Sequence, residues 1–472
     1  MKNDYPLFLA GDFVTTKHLL PVYEKYENRI MANTYLADEQ VLHYAVQMAE
    51  KARESMKVMS SLDKFNILNQ IHLAILKNRT YLAEILCKES AKPIRYALAE
   101  IDRAAQTFLI AAEECKRLPM EYMRLDWTKA GQNKEGLVKY FPIGIVAGIS
   151  PFNFPLNLAV HKIAPAIAAG CPIILKPASS TPLSTLELAE IISKTDLPKG
   201  ALSVLPMHRS TGNLLVTDER IQMVSFTGSP EVGWELKKQS GKKKCILELG
   251  GNAGVIVTPS ANLNDAMDKC IMGGFSYSGQ ICIHAQRIYV HQNIFESFKD
   301  VFVKKAMSLE FGNPLKNETD ISDMIDETNA IRVENWIKEA VDKGAELLCG
   351  GNRTGNYVAP AVLTKTTTSM KVNSEEVFGP VVCLEPYSGD ISEAVKLVND
   401  SRFGLQCGVF TDSIDELNYC FESLLVGGVI HNHVPTLRFD QMPYGGIKES
   451  GLGREGVKYA IHDMLEARVL VK

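Results

Sequence analysis

The spacing of apolar residues divides the chain into a helical first part and a mixed remainder. Between residues 37 and 117, apolar side chains recur at three- and four-residue spacing with charged residues between them, which predicts consecutive amphipathic helices. From about Val138, the apolar residues instead form short continuous runs separated by helical segments. The strand candidates are VKYFPIGIVAGISP, CPIILKP, SVLPM and MVSFTGS, followed in the second half by GVIVTP, RIYVH, ELLCGG and VVCLEPY.

This alternation sets the fold class. Continuous apolar strands that alternate with helices indicate a parallel sheet covered on both faces. A chain of 472 residues is also longer than one hydrophobic core usually supports. We therefore predict an α/β protein with two α/β domains, and we expect the early helices to pack on the first.

Composition and charge exclude several classes of partner. The net charge is −4, from 51 basic and 55 acidic residues that are mixed along the chain, so neither a nucleic-acid partner nor a membrane surface is expected. The N-terminal segment MKNDYPLFLAGDF lacks the apolar core of a signal peptide, and no apolar run is long enough to cross a membrane. Ten dispersed cysteines without a CxxC pair suit a reducing, cytoplasmic compartment and suggest no metal site.

Cys282 is the first candidate for chemistry. It follows Gly279-Gln280-Ile281 and precedes the strand candidate RIYVH, so its thiol lies at a loop-to-strand junction and can face a cleft. A thiolate attacks an aldehyde carbonyl to give a thiohemiacetal, from which a hydride can leave. Taken alone, however, one cysteine among ten is more often a buried apolar residue, so its role depends on the surrounding blocks.

Seven short blocks, Cys282 among them, occur in the order and at the separations typical of one family. They are Ser150-Pro151-Phe-Asn153-Phe154-Pro155, Lys176-Pro-Ala-Ser179-Ser-Thr-Pro182, Phe226-Thr-Gly228-Ser229 with Gly233, Glu248-Leu249-Gly-Gly251, Gly279-Gln-Ile-Cys282, Glu376-Val-Phe378-Gly-Pro380 and Pro443-Tyr444-Gly-Gly446 through Arg454-Glu455. These blocks resemble the PWNFP, KPAExTP, FTGSTxVG, ELGGKxP, GQxC, ExFGP and PFGGxKxSGxGRE blocks of the aldehyde dehydrogenase superfamily. The resemblance covers almost the whole chain.

The resemblance implies the aldehyde dehydrogenase fold, with two Rossmann-like open-sheet domains and a β oligomerisation arm. Residues 1–117 and 139–248 are expected to form the nucleotide-binding domain, and residues 249–457 the catalytic domain. The arm is expected to combine residues 118–138 with residues 458–472. Because arms of this kind pair between subunits, a homodimer or homotetramer is expected.

The resemblance also assigns the catalytic roles. Cys282 is the expected nucleophile, and the side-chain amide of Asn153 and the backbone N–H of Cys282 are expected to stabilise the oxyanion. Glu248 is the expected general base that activates water against the thioester. Relatives that transfer the acyl group to coenzyme A usually lack this glutamate, so a free acid is the expected product. Without their blocks, Asn153 is an ordinary turn residue and Glu248 a strand-end surface residue.

NADP or NAD is the implied cofactor. The expected cofactor-binding residues are Ser150, Pro151, Lys176, Ser179, Gly228, Ser229, Gly233, Leu249, Glu376 and Phe378. The segment from Gly228 to Gly233 follows a strand and begins a helix, whose first N–H groups favour phosphate. NAD-specific relatives commonly carry a glutamate where this chain has Ser179. A carboxylate there repels a 2′-phosphate, so Ser179 predicts that NADP is tolerated or preferred.

The substrate is expected to be a small aldehyde. Arg438, Phe154 and Tyr444 are the candidate substrate contacts, and the surrounding sequence resembles a branch that includes lactaldehyde, phosphonoacetaldehyde and non-phosphorylating glyceraldehyde-3-phosphate dehydrogenases. The Arg438 guanidinium suits carboxylate or phosphate oxygens. The alternative is an arginine that is paired with Asp440 or another acid and faces solvent or the subunit boundary.

Overall fold

The computed structural model describes residues 2–472, and two open sheets dominate it. The first sheet has eight strands, in the spatial order Gly451–Leu452, Lys244–Glu248, Ile221–Thr227, Ile145–Ile149, Ile173–Lys176, Leu202–Val204, Leu7–Leu9 and Asp12–Val14. Its five central strands are parallel, and the strands at both edges are antiparallel. This arrangement confirms the predicted α/β class.

The order of the first sheet reverses next to the strand Ile145–Ile149. The chain builds the sheet outward from this strand in one direction and then returns to its other side with Ile221–Thr227. The loops that follow these two strands diverge and leave a crevice at their carboxyl ends, where open α/β sheets bind ligands.

Both faces of the first sheet are buried, which explains its continuous apolar strands. Val146 packs in one hydrophobic cluster, whereas Ile145 and Ala147 pack in a second cluster on the opposite face. The side chains of a strand alternate between faces. An apolar run without polar positions is therefore what a sheet between two helical layers requires.

The second sheet has seven strands. Their spatial order is Glu346–Cys349, Ala361–Thr364, Val381–Tyr387, Arg287–His291, Gly254–Val257, Gln406–Phe410 and Gly428–His431. All neighbouring strands are parallel except the antiparallel edge strand Glu346–Cys349.

A third sheet corresponds to the expected arm. It consists of Leu465–Val471, Glu135–Pro142 and Met120–Arg124, all antiparallel. The predicted run VKYFPIGIVAGISP is therefore not one strand, because its first part belongs to this sheet and its second part to the eight-stranded sheet. The break falls at Gly144, whose φ is +133° and where a Cβ would collide with the side chain of Gln222. The division into domains given above stays a prediction.

The remaining strands are short. Asp4–Tyr5, Arg29–Tyr35 and Leu19–Glu24 form a small sheet, and the pairs Arg353–Thr354 with Tyr357–Val358 and Phe403–Gly404 with Ile447–Lys448 form two-stranded ribbons.

The helices cover the sheets. The consecutive helices predicted between residues 37 and 117 are confirmed, and there are four: Glu39–Val58, Ser61–Lys77, Arg79–Ser90 and Ile94–Glu114. The others are Pro155–Ala169, Leu183–Ile192, Arg209–Thr217, Pro230–Gln239, Leu263–Phe275, Gln292–Met307, Glu327–Asp342, Lys371–Ser374, Ile391–Asn399, Ile414–Ser423 and Val457–Asp463, with 3₁₀ turns at Lys129–Gly131 and Ser276–Gly279. None of the helices within residues 2–472 combines the length and apolar character needed to span a membrane.

Candidate functional site

The predicted site residues lie at the carboxyl ends of neighbouring parallel strands. Ser150 and Pro151 follow Ile145–Ile149, and Gly228 follows Ile221–Thr227. Glu248 is the last residue of the next strand, and Lys176 is the last residue of Ile173–Lys176. The sheet register aligns these ends, with Ile149 opposite Lys176 and Thr227 opposite Glu248.

A cleft of about 400 Å³ opens at this edge of the sheet. Of the predicted residues, it is lined by Pro151, Asn153, Gly228, Ser229, Leu249, Cys282, Glu376 and Phe378. Its wall also contains Phe152, Leu158, Arg332 and Trp336. The candidate nucleophile and most of the candidate cofactor residues thus share one cavity.

Cys282 lies half-buried in the wall of this cleft. The chain reaches it from the helix Leu263–Phe275 through the 3₁₀ turn Ser276–Gly279, and Tyr444 Oη lies 3.1 Å from its Sγ. Burial raises the pKa of Cys282 to about 11, and the hydrogen bond with Tyr444 opposes that rise. His284 Nε2 lies 2.8 Å from the carbonyl oxygen of Gly274, so this histidine is anchored to the backbone.

Asn153 is fixed through both its side chain and its backbone. The side-chain Nδ2 donates to the backbone carbonyl oxygen of Gln280 at 3.0 Å, and the backbone carbonyl oxygen of Asn153 accepts from Lys92 Nζ at 2.6 Å. Lys92 is also paired with Glu100 in the protein interior. Glu100 in turn accepts from the backbone N–H of Leu156 at 3.1 Å, in the first turn of the following helix. An amide NH₂ carries two hydrogens, so Asn153 keeps one for a further acceptor.

Glu248 is buried, and neither of its carboxyl oxygens has a hydrogen-bond partner among residues 2–472. Burial, and then the nearby charge of Glu455, raise the pKa of Glu248 well above its usual value. Glu455 itself accepts from Lys162 Nζ at 3.1 Å, and Lys162 also donates to Thr227 Oγ1 at 2.7 Å. A carboxyl group in this setting holds its proton to a higher pH than an exposed glutamate does.

The glycines after Glu248 allow close packing of the segments around the cleft. A Cβ on Gly251 would lie 2.5 Å from the carbonyl oxygen of Cys282, and a Cβ on Gly250 would collide with the carboxyl group of Glu376. Glu376 also accepts from the backbone N–H of Gly251 at 3.0 Å. Burial raises the pKa of Glu376 to about 7. The Glu-Leu-Gly-Gly block thus packs directly against the segments that contain Cys282 and Glu376.

The cleft fits a dinucleotide. Ser229 precedes the helix Pro230–Gln239, whose N-terminal N–H groups favour a phosphate. Pro230 is suited to the first helical position, because the N–H group at that position makes no hydrogen bond within the helix. A Cβ on Gly228 would lie 2.5 Å from the ring of Phe226, and one on Gly233 would collide with Leu249. Both positions therefore need glycine. The match to a dinucleotide thus rests on the close packing around Gly228 and Gly233 and on the N–H groups at the start of the helix Pro230–Gln239, where the pyrophosphate is expected.

Lys176 and Ser179 lie half-buried just outside the residues that line the cleft. Desolvation by burial lowers the pKa of Lys176. A Cβ on Gly212 would lie 3.1 Å from Lys176 Cδ, so the helix Arg209–Thr217 packs against this lysine.

Arg438 is almost completely buried, with 6% of its side chain exposed. Its guanidinium donates to Glu455 Oε2 at 3.1 Å and lies 3.6 Å from the centre of the Tyr444 ring. Asp440 pairs instead with Arg103 at 2.7 Å and with His161 at 2.8 Å. Arg438 is therefore paired with an acid, as the alternative above allowed, but that acid is Glu455 and not Asp440, and the guanidinium is buried and does not face solvent.

Several residues of the site were not predicted from the sequence. They are Lys92, Glu100, Arg103, His161, Lys162 and Asp440. Most occur in segments with ordinary charged composition; His161 and Lys162 are the exception, because they interrupt the otherwise uncharged and mostly apolar helix Pro155–Ala169, a signal that the sequence offered. Lys92 and Glu100 are eight positions apart, whereas the other pairs join distant parts of the chain. Arg103 and Asp440, for example, are 337 positions apart. Only the burial of a charged residue distinguishes the remaining members, and burial is a property of the fold.

Comparisons with known proteins agree with this geometry. The sequence model described as "Aldehyde dehydrogenase family" matches residues 13–470. The chain is 40% identical over 470 residues to 3-sulfolactaldehyde dehydrogenase of Priestia aryabhattai, which covers 99% of this chain and 98% of that relative. The crystal structure of aldehyde dehydrogenase 21 from Physcomitrella patens, in complex with the reaction product succinate, is 43% identical with a TM-score of 0.98 and covers 100% of this chain and 98% of that one.

A third similar protein was crystallised with a cofactor. Glyceraldehyde-3-phosphate dehydrogenase from Methanocaldococcus jannaschii, complexed with NADP, is 36% identical with a TM-score of 0.92 and covers 96% of this chain and 98% of that one. The family resemblance and its branch, inferred from seven short blocks, are thereby confirmed. The chain belongs to the aldehyde dehydrogenase family and oxidises an aldehyde to the carboxylic acid with NAD or NADP as the hydride acceptor.

Proposed function

We propose that the protein oxidises a short aldehyde that carries an anionic group away from the carbonyl, and that it releases the free acid. The observation that carries this proposal is the buried guanidinium of Arg438 behind Tyr444, whose hydroxyl contacts Cys282. The ligands named for the three similar proteins share a short carbon chain with a carboxylate, sulfonate or phosphate at one end.

The charges around Arg438 support an anionic substrate. Arg438 and Lys162 are two buried cations that both pair with one carboxylate, that of Glu455. The other acid that faces them, Glu248, has a raised pKa. Arg103, which pairs with Asp440, is partly exposed. Arg438 Nε is buried without a hydrogen-bond partner in the part of the chain that the structure describes. A buried excess of positive charge is costly unless an anion compensates it, and a substrate carboxylate can do so.

The first half of the reaction forms the thioester. The Cys282 thiolate attacks the aldehyde carbonyl, and the resulting oxyanion accepts hydrogen bonds from the second N–H of Asn153 Nδ2 and from the backbone N–H of Cys282. Lys92 and Gln280 hold the Asn153 loop in place during this step. NAD or NADP, which the segments around Gly228, Ser229 and Glu376 would hold, would supply the acceptor for the hydride of the carbon that is attached to sulfur.

The second half hydrolyses the thioester. Glu248 accepts a proton from water, which adds to the acyl carbon, and Cys282 leaves as the thiolate. The charged groups that face Glu248 are Glu455, Arg438, Lys162 and Arg454.

A product assay tests this function. The purified protein is incubated with succinate semialdehyde and NADP, with and without coenzyme A, and both NADPH and acid are quantified. We expect NADPH and succinate in equal amounts without coenzyme A. Succinyl-coenzyme A as the main product, or no NADPH from any short anionic aldehyde, would reject the proposal.

Arg438→Leu is expected to reduce kcat/KM for succinate semialdehyde by about tenfold or more, since a charge-assisted hydrogen bond to a carboxylate is lost. The methyl ester of the same aldehyde has no charge and should lose little. The measurement is kcat/KM for both substrates in both proteins.

Arg438→Lys provides the matched control because it keeps the charge and loses the forked geometry. It should retain part of the preference for the anionic substrate. Equal losses on the two substrates, or no loss on either, would show that Arg438 does not select the substrate.

Ser179→Glu is expected to lower the ratio of kcat/KM for NADP over NAD by roughly tenfold or more, on the order of 1–2 kcal/mol for a carboxylate near a phosphate. The unmodified enzyme should use NADP at least as well as NAD. Ser180→Glu adds the same charge one position further and should change the ratio less. A strong preference for NAD in the unmodified enzyme would show that Ser179 is not decisive.

The arm makes the protein a homodimer or homotetramer. Its outer strands Leu465–Val471 and Met120–Arg124 each leave one edge unpaired within the described chain. Trp127, beside the arm, is 90% exposed, and Tyr122 and Leu470 are more than half exposed. Apolar side chains next to free strand edges favour pairing between subunits. All ten cysteines are free thiols, which suits the cytoplasm.

A further inference from the structure

The hydroxyl group of Tyr444 contacts the sulfur of Cys282. The distance from Oη to Sγ is 3.1 Å, short for a hydrogen bond that involves sulfur. The family block PFGG named above has phenylalanine where this chain has Tyr444, so the hydroxyl is a departure from that block. The hydroxyl brings a hydrogen-bond donor to Cys282, the proposed nucleophile.

Tyr444 is held rigidly in this orientation. Its ring is buried, and its backbone N–H donates to Glu455 O at 3.0 Å. The Arg438 guanidinium covers the ring at 3.6 Å from its centre. The hydroxyl therefore has little freedom to turn away from Cys282.

The phenol is the donor in this hydrogen bond when sulfur is ionised. A thiolate has no proton to give and can only accept, whereas burial keeps the pKa of Tyr444 well above its usual value, so the phenol retains its proton. A hydrogen bond to the charged form of a group favours that form. The cation over the ring draws electron density from the phenol and strengthens it as a donor.

We propose that Tyr444 is a positioning residue whose hydroxyl donates to the Cys282 thiolate, raising the fraction of ionised sulfur and fixing its direction before attack. The inference rests on the proposed role of Cys282 as nucleophile. No bond forms or breaks at Tyr444, and the hydrogen bond weakens as the sulfur bonds to the carbonyl carbon. Arg438 then has two roles, one toward the substrate and one through the Tyr444 ring.

The charged and titratable groups that face Cys282 are few. Besides Tyr444, they are Glu376, Glu248 and Arg438. Tyr444→Phe removes one oxygen and leaves these three groups in place. Any change in the ionisation of Cys282 in this variant therefore reports on the hydroxyl.

The test is the rate at which iodoacetamide alkylates Cys282, followed by mass spectrometry of the peptide that contains it, over the pH range in which the protein stays folded. In Tyr444→Phe, the midpoint of the profile should move up by about one pH unit, the loss expected for one hydrogen bond to a charged group. A thiolate of higher pKa is more nucleophilic, so alkylation below the midpoint should slow only about threefold. Tyr289→Phe, a buried tyrosine in the second sheet, should leave the profile unchanged.

A second variant is expected to lower the midpoint of the pH profile of Cys282 alkylation. Fluorotyrosine at position 444 keeps the shape of the ring and makes the phenol a stronger donor, so the midpoint should fall. A loss of packing alone would change the rates equally at every pH and leave both midpoints in place. An unchanged midpoint in Tyr444→Phe, or shifts of the same sign in both variants, would overturn the proposal.

Alkylation requires no turnover, so this result is separate from the test of function. If Cys282→Ala kept its dehydrogenase activity, the proposed function would fail, whereas the measured ionisation of Cys282 in the Tyr444 variants would still decide the role of the hydroxyl.

Discussion

Replacing Cys282 with alanine is expected to abolish aldehyde oxidation, with kcat reduced by at least about 10⁴-fold, as found when other enzymes lose their nucleophile. Among the ten cysteines, Cys282 lines the cleft at the switch point of the first sheet. Without the sulfur of Cys282 no thiohemiacetal forms, so the aldehyde carbon does not reach the state from which it can release a hydride. The measurement is NADPH formation from succinate semialdehyde by Cys282→Ala and by the unmodified protein.

Two controls keep this result specific. Cys282→Ala should still bind NADP, which titration of protein fluorescence can follow, because the pyrophosphate end of the cleft contains Gly228 and Ser229 and not the thiol. Cys270→Ala removes a fully buried cysteine from the helix that leads to the site and should remain active. Substantial oxidation by Cys282→Ala would contradict the assignment of the nucleophile.

Replacing Glu248 with glutamine is expected to separate the two halves of the reaction. Thioester formation does not need the base, so the first turnover should release NADPH at close to the normal rate. Hydrolysis does need it, so steady-state turnover should fall by about 10²–10⁴-fold. Stopped-flow absorbance should therefore show a burst of about one NADPH per site, followed by a slow phase.

The pH dependence of the deacylation rate tests the role of Glu248 independently. Because burial raises the pKa of Glu248, the carboxyl group keeps its proton to a higher pH than usual and cannot act as a base below that pH. Deacylation in the unmodified enzyme should therefore accelerate as the pH rises, and Glu248→Gln should lack this rise. Glu385→Gln, which alters a half-buried carboxyl group in the second sheet that accepts from Thr366, serves as the control. Unchanged steady-state turnover in Glu248→Gln would mean that another group is the base.

Local pattern predicted the strands of the fold better than their grouping into sheets. The central strands of both sheets are buried on two faces, so each appears in the sequence as a continuous apolar run. The run through Gly144 was an exception, because the residues on either side of the break are equally apolar although they enter different sheets. The short strands before residue 36 were not predicted. Most pair with one another, as Leu19–Glu24 does with Arg29–Tyr35, and Leu7–Leu9 also pairs with the distant strand Leu202–Val204.

The site was predicted to the extent that its residues form contiguous blocks. Cys282, Asn153, Glu248 and Glu376 each lie in a block with glycine or proline, because close approach of backbones requires those residues. Their partners Lys92, Glu100 and Lys162 are single residues in or beside a helix, and only the folded chain brings them together. The sequence singled out Arg438 as a candidate substrate contact but could not show that its guanidinium covers the Tyr444 ring.

The most direct test of the central claim is to isolate the covalent intermediate. Glu248→Gln is mixed with succinate semialdehyde and NADP, quenched in acid at the end of the burst, digested, and examined by mass spectrometry. The account predicts a succinyl group on the peptide that contains Cys282, in an amount equal to the NADPH of the burst. A burst with no acyl group on that peptide, or with the group on another residue, would contradict it.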